Sequence, residues 1–217
     1  MSDASLPDVS VDETFTTVPD GWPNTSGGPA RHVEGVYQLE SQQANRFVAV
    51  TAPIPTALRD VVVSARFHKS GGPPGGGYGL MVRDQGPDVH DGTQQGGRFV
   101  VLEVGDQGTV GVWQHEENWW KDLLPWTPST AVRPASAAND LTVRARGTEL
   151  TFLVNDVQVA HVYAWFDHGR VGVFVGGDGN QAVLERFAVR SPDPGGSGPA
   201  WSVAARPQDG NESLQTN

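Results

Sequence analysis

The chain has 217 residues, no cysteine and a formal net charge of −10. This length suits one sizeable domain with a core of its own, and the lack of cysteine excludes disulfides and cysteine–zinc sites. No stretch clusters Lys and Arg, which excludes the basic surface that a nucleic-acid partner requires. With 27 glycines and 16 prolines, the composition favours many short strands and turns over helices.

The N-terminal segment is acidic. Residues 1–20 contain no Lys or Arg and carry the five acidic residues Asp3, Asp8, Asp12, Glu13 and Asp20. We predict that residues 1–13 form an acidic tail. The segment lacks the basic and apolar parts of a signal peptide, and no apolar run in the chain approaches the roughly 18 residues of a membrane span. We therefore expect a chain that is soluble as written, without membrane insertion, and either cytoplasmic or a module of an exported protein.

From about residue 33 to residue 190, apolar side chains recur with a period of two, which is typical of β-strands. Tyr78, Leu80 and Val82, for example, share one face of their predicted strand. We expect such strands to bury one face and to expose the other to water. Gly-, Pro- and Asp-rich turns separate about a dozen of them. The pattern predicts an all-β domain made of two packed antiparallel sheets or of a closed barrel.

Three tryptophans fall within residues 115–126, HEENWWKDLLPW. A helix would bring Trp119 and Trp126 to one face, but Pro125 would interrupt it. We therefore predict a strand over residues 118–124 that continues as an extended edge. In that strand Trp119 and Trp120 point to opposite faces of the sheet, so the two rings cannot both belong to the core.

The C-terminal segment, residues 191–217, is poor in aliphatic residues and rich in Gly, Pro and Ser. Such a composition is typical of a flexible tail or linker. Together with the acidic tail of residues 1–13, it leaves a single predicted domain over residues 14–190.

The order of the motifs in this domain carries a resemblance. Seven segments follow one another between about residue 12 and residue 190. They are, in chain order, DETFTTVPDGWP, HVEGVYQLE, VVVSARFHKSGG, YGLMVRD, GRFVVLEVGDQGTVGVW, NDLTVRARGTELTFLVNDV and HGRVGVFVGGDGN. This order resembles bacterial concanavalin A-like (laminin-G-like) jelly-roll modules. The resemblance implies a two-sheet antiparallel sandwich with a concave face, on which the glycan-binding relatives bind their ligands.

The tryptophan stretch also matches these modules. Trp120, Leu123, Trp126, Thr127 and Ser129 fit a phrase typical of the family, so the resemblance implies structural roles for Trp120 and Trp126 and leaves Trp119 as the additional ring. We accordingly expect Trp119→Ala to weaken ligand binding without unfolding the domain. If the ring of Trp126 is core, Trp126→Ala should cost about 3 to 5 kcal/mol of stability.

Our leading hypothesis is a non-catalytic, lectin-like recognition module that binds a carbohydrate or a peptide on the concave face. Aromatic rings stack on the apolar faces of sugars, and neighbouring polar groups supply hydrogen bonds. The candidate ligand-binding residues are Tyr78, Arg83, Trp113, His115, Trp119 and Trp120. The alternative is a structural or assembly domain that makes protein–protein contacts, whether in a homo-oligomer or within a parent multidomain protein.

A glycoside hydrolase or lyase is the third hypothesis. Glycosidases need two carboxyl groups about 5 to 9.5 Å apart, and sugar-cleaving relatives carry Glu-x-Asp-x-x-Glu on one strand. The nearest candidates here, Glu103 and Asp106, are three residues apart and point to opposite faces, and Glu116 and Glu117 also diverge. We therefore predict no catalytic residue, although acids from separate strands could still meet.

A structural calcium ion is the only cofactor that the resemblance suggests, because many modules of this fold bind one between the terminal strands and a loop. The matching positions are Glu13, Asp178 and Glu185. Calcium takes six to eight oxygen ligands, so three acids would form only part of such a site.

Overall fold

The computed structural model describes residues 11–192, and these residues form β-strands and no α-helix. No helix of this part of the chain could therefore cross a membrane. The strands are β1 (Val11–Glu13), β2 (Ala30–Val33), β3 (Val36–Glu40), β4 (Val48–Thr51), β5 (Val61–Gly71), β6 (Gly77–Asp84), β7 (Arg98–Gly105), β8 (Thr109–Glu116), β9 (Trp119–Pro128), β10 (Asn139–Arg146), β11 (Glu149–Val154), β12 (Val157–Tyr163), β13 (Arg170–Gly176) and β14 (Gln181–Arg190).

The strands form two antiparallel sheets. The eight-stranded back sheet has the order β12-β11-β10-β5-β14-β3-β2, with β1 also paired to β14, and the six-stranded front sheet has the order β4-β13-β6-β7-β8-β9. Chain neighbours such as β4 and β5, or β12 and β13, lie in different sheets, so the chain crosses repeatedly between the two layers. The prediction of a two-sheet antiparallel sandwich is confirmed.

Strand β1 begins the domain at residue 11, earlier than the predicted boundary at residue 14. Val11, Asp12 and Glu13 pair with Val189, Ala188 and Phe187 of β14, so residues 11–13 belong to the back sheet. The other residues of the predicted tails, 1–10 and 193–217, lie outside the described residues.

A large apolar core fills the space between the sheets. Leu80, Leu102 and Val112 of the front sheet and Val63 and Phe152 of the back sheet are almost fully buried in it. Burial of such apolar surface is the main stabilising contribution to a sandwich of this kind.

The expectation that each strand has a wet face holds for only part of the molecule. Strand β10 alternates between buried and more exposed residues, whereas every residue of β6 is buried. The outer face of the front sheet, which points away from the back sheet, carries a second small apolar cluster that includes Met81, Phe99 and Phe174. Loops cover this cluster, since Phe47 lies 5.2 Å from Phe174 and His90 lies 5.1 Å from Phe99 between ring centroids.

Candidate functional site

Strand register decides which residues share the outer face of the front sheet. Glu103 of β7 lies between Gly79 of β6 and Gly111 of β8, and Phe174 of β13 lies on the far side of Gly79. The next row toward the strand ends consists of the glycines Gly176, Gly77 and Gly105. Around Glu103, the outer face of the sheet therefore consists largely of backbone atoms, which form the floor of the site.

Two of these glycines leave room that a larger residue would fill. A Cβ at Gly77 would lie 2.9 Å from Glu103 Oε1 and 2.9 Å from the ring of Trp126. A Cβ at Gly176 would lie 3.1 Å from Glu103 Oε1 and 3.1 Å from the ring of Phe174. Glycine within a strand often marks such a close approach.

A cleft of about 490 Å³ opens over this floor, and we call it the glycine-floored cleft. Its main side chains are Glu103, Trp113, Trp120, Asp122, Trp126 and Phe174. The rings of Trp113 and Trp126 meet edge to face, with centroids 4.7 Å apart. Trp126 is nevertheless 43% exposed to solvent. Trp113 folds over Gly111, where a Cβ would come within 1.9 Å of its ring.

Glu103 is the polar centre of the cleft. It is only 6% exposed, and its Oε1 atom has no hydrogen-bond partner. Burial raises the pKa of Glu103 to about 8, although a backbone hydrogen bond from Gly176 favours the ionised form. At neutral pH the side chain is therefore mostly a carboxylic acid, which can both donate and accept a hydrogen bond.

Of the six residues predicted to bind ligand, Trp113 and Trp120 line the cleft. His115 lies beneath them, because its ring packs 4.4 Å from that of Trp120 and the residue is only 2% exposed. Its Nδ1 is 2.9 Å from the Gly97 carbonyl oxygen, and burial lowers the pKa of His115. His115 thus supports Trp120 rather than facing the open cleft.

The structure corrects the placement of Tyr78 and Arg83. Tyr78 is 1% exposed between the two sheets, and its hydroxyl accepts a hydrogen bond from Asn139 Nδ2 at 3.0 Å. Arg83 is also 1% exposed, and its guanidinium donates to the carbonyl oxygens of Leu58 and Gly147. Both side chains hold the fold together and do not face the cleft.

Trp119, expected to bind ligand, lies outside the cleft, whereas Trp126, expected to have a structural role, lines it. Trp119 is 48% exposed outside the cleft, where its ring lies 6.3 Å from that of Trp165. Trp126, which the family phrase assigned to the fold, is a wall of the cleft. Trp120 and Trp126 are six residues apart, so the alternation of faces along a strand already places both rings on the same side of β9 and Trp119 on the other.

The acidic residues near Glu103 are dispersed. Asp106 turns away from the cleft and forms a buried ion pair with Lys69, with Oδ2 and Nζ 2.6 Å apart. The divergence of Glu103 and Asp106 follows the sequence prediction, but the role of Glu103 itself was missed. An acid between Leu102 and Val104 in an otherwise apolar strand was the signal that could have identified it.

The proposed calcium ligands do not come together. Glu13 accepts a hydrogen bond from its near neighbour Phe15, Glu185 pairs with Arg66 and His68, and Asp178 accepts one from the Asn45 amide. Within residues 11–192, no three His, Asp or Glu side chains are grouped to hold a metal ion. The calcium site inferred from Glu13, Asp178 and Glu185 is therefore not formed by these three residues.

Comparison with known proteins identifies the architecture. No protein-family model matches the chain, and no curated protein matches its sequence. Among solved structures, a carbohydrate binding module from Bacillus subtilis is similar, with a TM-score of 0.57 and 14% identity over 84% of this chain and 95% of that one.

Two sugar-cleaving enzymes are also similar. The β-glucanase of Bacillus licheniformis has a TM-score of 0.53 and 9% identity, over 84% of this chain and 98% of that one. An endo-β-galactosidase of Clostridium perfringens that releases GlcNAcα1-4Gal has a TM-score of 0.55 and 11% identity, over 82% of this chain and 61% of that one. At these identities the likeness concerns the fold, and the chain is an all-β jelly-roll sandwich.

Proposed function

We propose that the domain is a non-catalytic carbohydrate-binding module whose ligand lies in the glycine-floored cleft. The observation that carries the proposal is the buried carboxyl of Glu103, whose Oε1 atom has no hydrogen-bond partner, beside the rings of Trp113 and Trp126 and over a floor of glycine backbone. Tryptophan offers a flat apolar surface for the C–H face of a sugar, and a few polar groups then fix its orientation.

The size of the cleft and the fold support this proposal. Its volume of about 490 Å³ falls in the range of roughly 300 to 1,000 Å³ that is usual for ligand pockets. The similar solved structures include a carbohydrate binding module and enzymes that cleave sugars. A peptide could use the same rings, so a ligand screen has to contain both classes.

Hydrolysis is less well supported by the geometry. Asp122 lines the same cleft as Glu103, but it lies two strands away and one row along the sheet. The ring of Trp113 covers Gly111, the residue between Glu103 and β9. A glycosidase would need the two carboxyl groups about 5 to 9.5 Å apart across an open bond-cleaving site.

An assembly role is the second candidate, and a separate surface favours it. Trp119, Tyr163 and Trp165 are 48%, 60% and 53% exposed, and Lys121 lies 4.3 Å above the ring of Trp165. Exposed aromatic side chains are enriched at protein interfaces. A molar mass that rises with concentration, and that Trp119→Ala returns to the monomer value, would support this role.

The test of carbohydrate binding is a screen of the purified chain on a glycan array that also carries peptides, with each hit titrated by tryptophan fluorescence. Trp126→Ala should weaken a sugar hit at least about tenfold, because the ring forms a wall of the cleft. Trp119→Ala is the matched control, since Trp119 is similarly exposed but lies outside the cleft, and it should leave the affinity unchanged.

The outcome that contradicts the proposal is equally specific. A sugar hit that is lost in Trp119→Ala and kept in Trp126→Ala would move the site to the surface around Trp165. Circular dichroism of both variants would confirm that the sandwich is intact.

A further inference from the structure

Glu103 is a buried acid in surroundings that provide no compensating charge. The strands packed against it contribute Gly77 and Gly79 from β6, Trp113 from β8, Phe174 and Gly176 from β13 and Trp126 from β9, none of them titratable. No ion pair in the described part of the chain includes Glu103.

The charged side chains along the rest of the cleft are Arg46, Asp122 and Asp178. The amide of Asn45 already donates to Asp178. Two carboxylates against one guanidinium make this rim unfavourable for an anionic sugar.

An ionised carboxylate in such a place is expensive, because burial removes its water and only the backbone hydrogen bond from Gly176 compensates. A neutral carboxyl avoids most of this cost but still has a hydrogen-bond donor and acceptors to satisfy. Oε1 is closed off from solvent beside Gly77 and Gly176, so the small exposed part of Glu103 at the floor of the cleft belongs to its other atoms. A ligand hydroxyl or ring oxygen at the floor would accept the hydrogen bond that the neutral acid can donate.

We propose that Glu103 binds an uncharged sugar as a neutral carboxylic acid that donates a hydrogen bond to a sugar oxygen, and that loss of its proton releases the sugar. This inference rests on the proposed function and adds to it the charge class of the ligand and a dependence of binding on pH. The carboxyl proton remains on Glu103 when the sugar binds, so the interaction involves no covalent step.

The pH range follows from the pKa of about 8 that burial gives Glu103. At pH 6 nearly every molecule carries the protonated acid, and at pH 9 about one in ten does. Because the apparent affinity scales with the fraction of competent protein, it should fall about tenfold between pH 6 and pH 9. Glu103→Gln keeps a neutral donor and acceptor at every pH, so its affinity should show no such fall.

The test titrates the neutral oligosaccharides of the glycan array into the wild-type chain, Glu103→Gln and Asp122→Asn at pH 6 and pH 9. Asp122→Asn is the matched control, because it removes a carboxylate from the rim and should retain the tenfold fall. A carbon-13 NMR titration of the glutamate carboxyls, with Glu103→Gln to assign the signal, follows Glu103 without any ligand.

Three results separate the two proposals. Binding of no sugar at either pH overturns the proposed function and the inference that rests on it. Sugar binding that is equal at pH 6 and pH 9 overturns the inference alone, as does a Glu103 signal that titrates at the pH of an ordinary glutamate.

Discussion

Replacing Glu103 by glutamine should make the domain more stable at alkaline pH. The ordinary pKa of the carboxyl is 4.5, and burial raises it to about 8 in the folded chain. Between these values the unfolded chain has released the proton while the folded chain still holds it. The stability that this proton contributes is complete below pH 4.5 and is lost as the pH rises through 8.

The size of the effect follows from the same shift. Each pH unit in this interval lowers the free energy of unfolding by about 1.4 kcal/mol, so the whole interval amounts to about 5 kcal/mol. No large discount for solvent screening applies, since Glu103 is only 6% exposed. Small domains have a total stability of about 5 to 15 kcal/mol, so the loss is readily measured.

Urea unfolding of the wild-type chain and of Glu103→Gln at pH 5 and pH 8.5 provides the assay. The other titratable groups are common to both proteins, so the difference between their pH profiles isolates Glu103. Asp122→Asn, at an exposed carboxylate of the same cleft, should follow the wild-type profile. Parallel profiles for the wild-type chain and Glu103→Gln would refute the burial argument, because they would show that Glu103 titrates normally in the folded chain.

Two further predictions concern the floor of the cleft and the buried ion pair. Gly77→Ala places a Cβ 2.9 Å from both the buried carboxyl oxygen and the ring of Trp126, so sugar affinity in a fluorescence titration should fall at least about tenfold. Gly96→Ala, where the nearest atom is 3.8 Å away, is the control, and equal affinities for both variants would contradict a ligand at the floor. Lys69→Met leaves Asp106 without its 2.6 Å partner and should lower the free energy of unfolding by about 3 to 5 kcal/mol. A loss below about 1 kcal/mol in urea unfolding would show that water compensates for the missing ammonium.

The all-β sandwich could be predicted because its determinants are local. A period of two in the apolar residues and turns rich in Gly and Pro define strands wherever they occur. The placement of Tyr78 in the core was also available from the sequence, since it shares a strand face with the buried Leu80 and Val82. Its hydroxyl favoured the prediction of a ligand-binding role. A buried tyrosine hydroxyl, however, needs only one hydrogen-bond partner, which here is Asn139.

The rest of the cleft depends on contacts between distant segments. Alternation along β9 places Trp126 on the side of Trp120, but its contact with the ring of Trp113 depends on how β9 pairs with β8, which a single sequence does not reveal. Arg83 has a positive φ of 59° at the end of β6, so the alternation of faces fails there. The full burial of Glu103 requires Phe174 of β13 and Trp126 of β9, which lie about 70 and 20 residues away in the chain.

Mapping a bound oligosaccharide by amide and indole NMR shifts tests directly whether the sugar lies in the glycine-floored cleft. A neutral hit from the array should shift the indole N–H signals of Trp113 and Trp126 and the amide signals of Gly77 and Gly176. The signals of Trp119 should stay in place. Shifts confined to Trp119 and its neighbours, with the glycine signals unchanged, would contradict binding in the cleft.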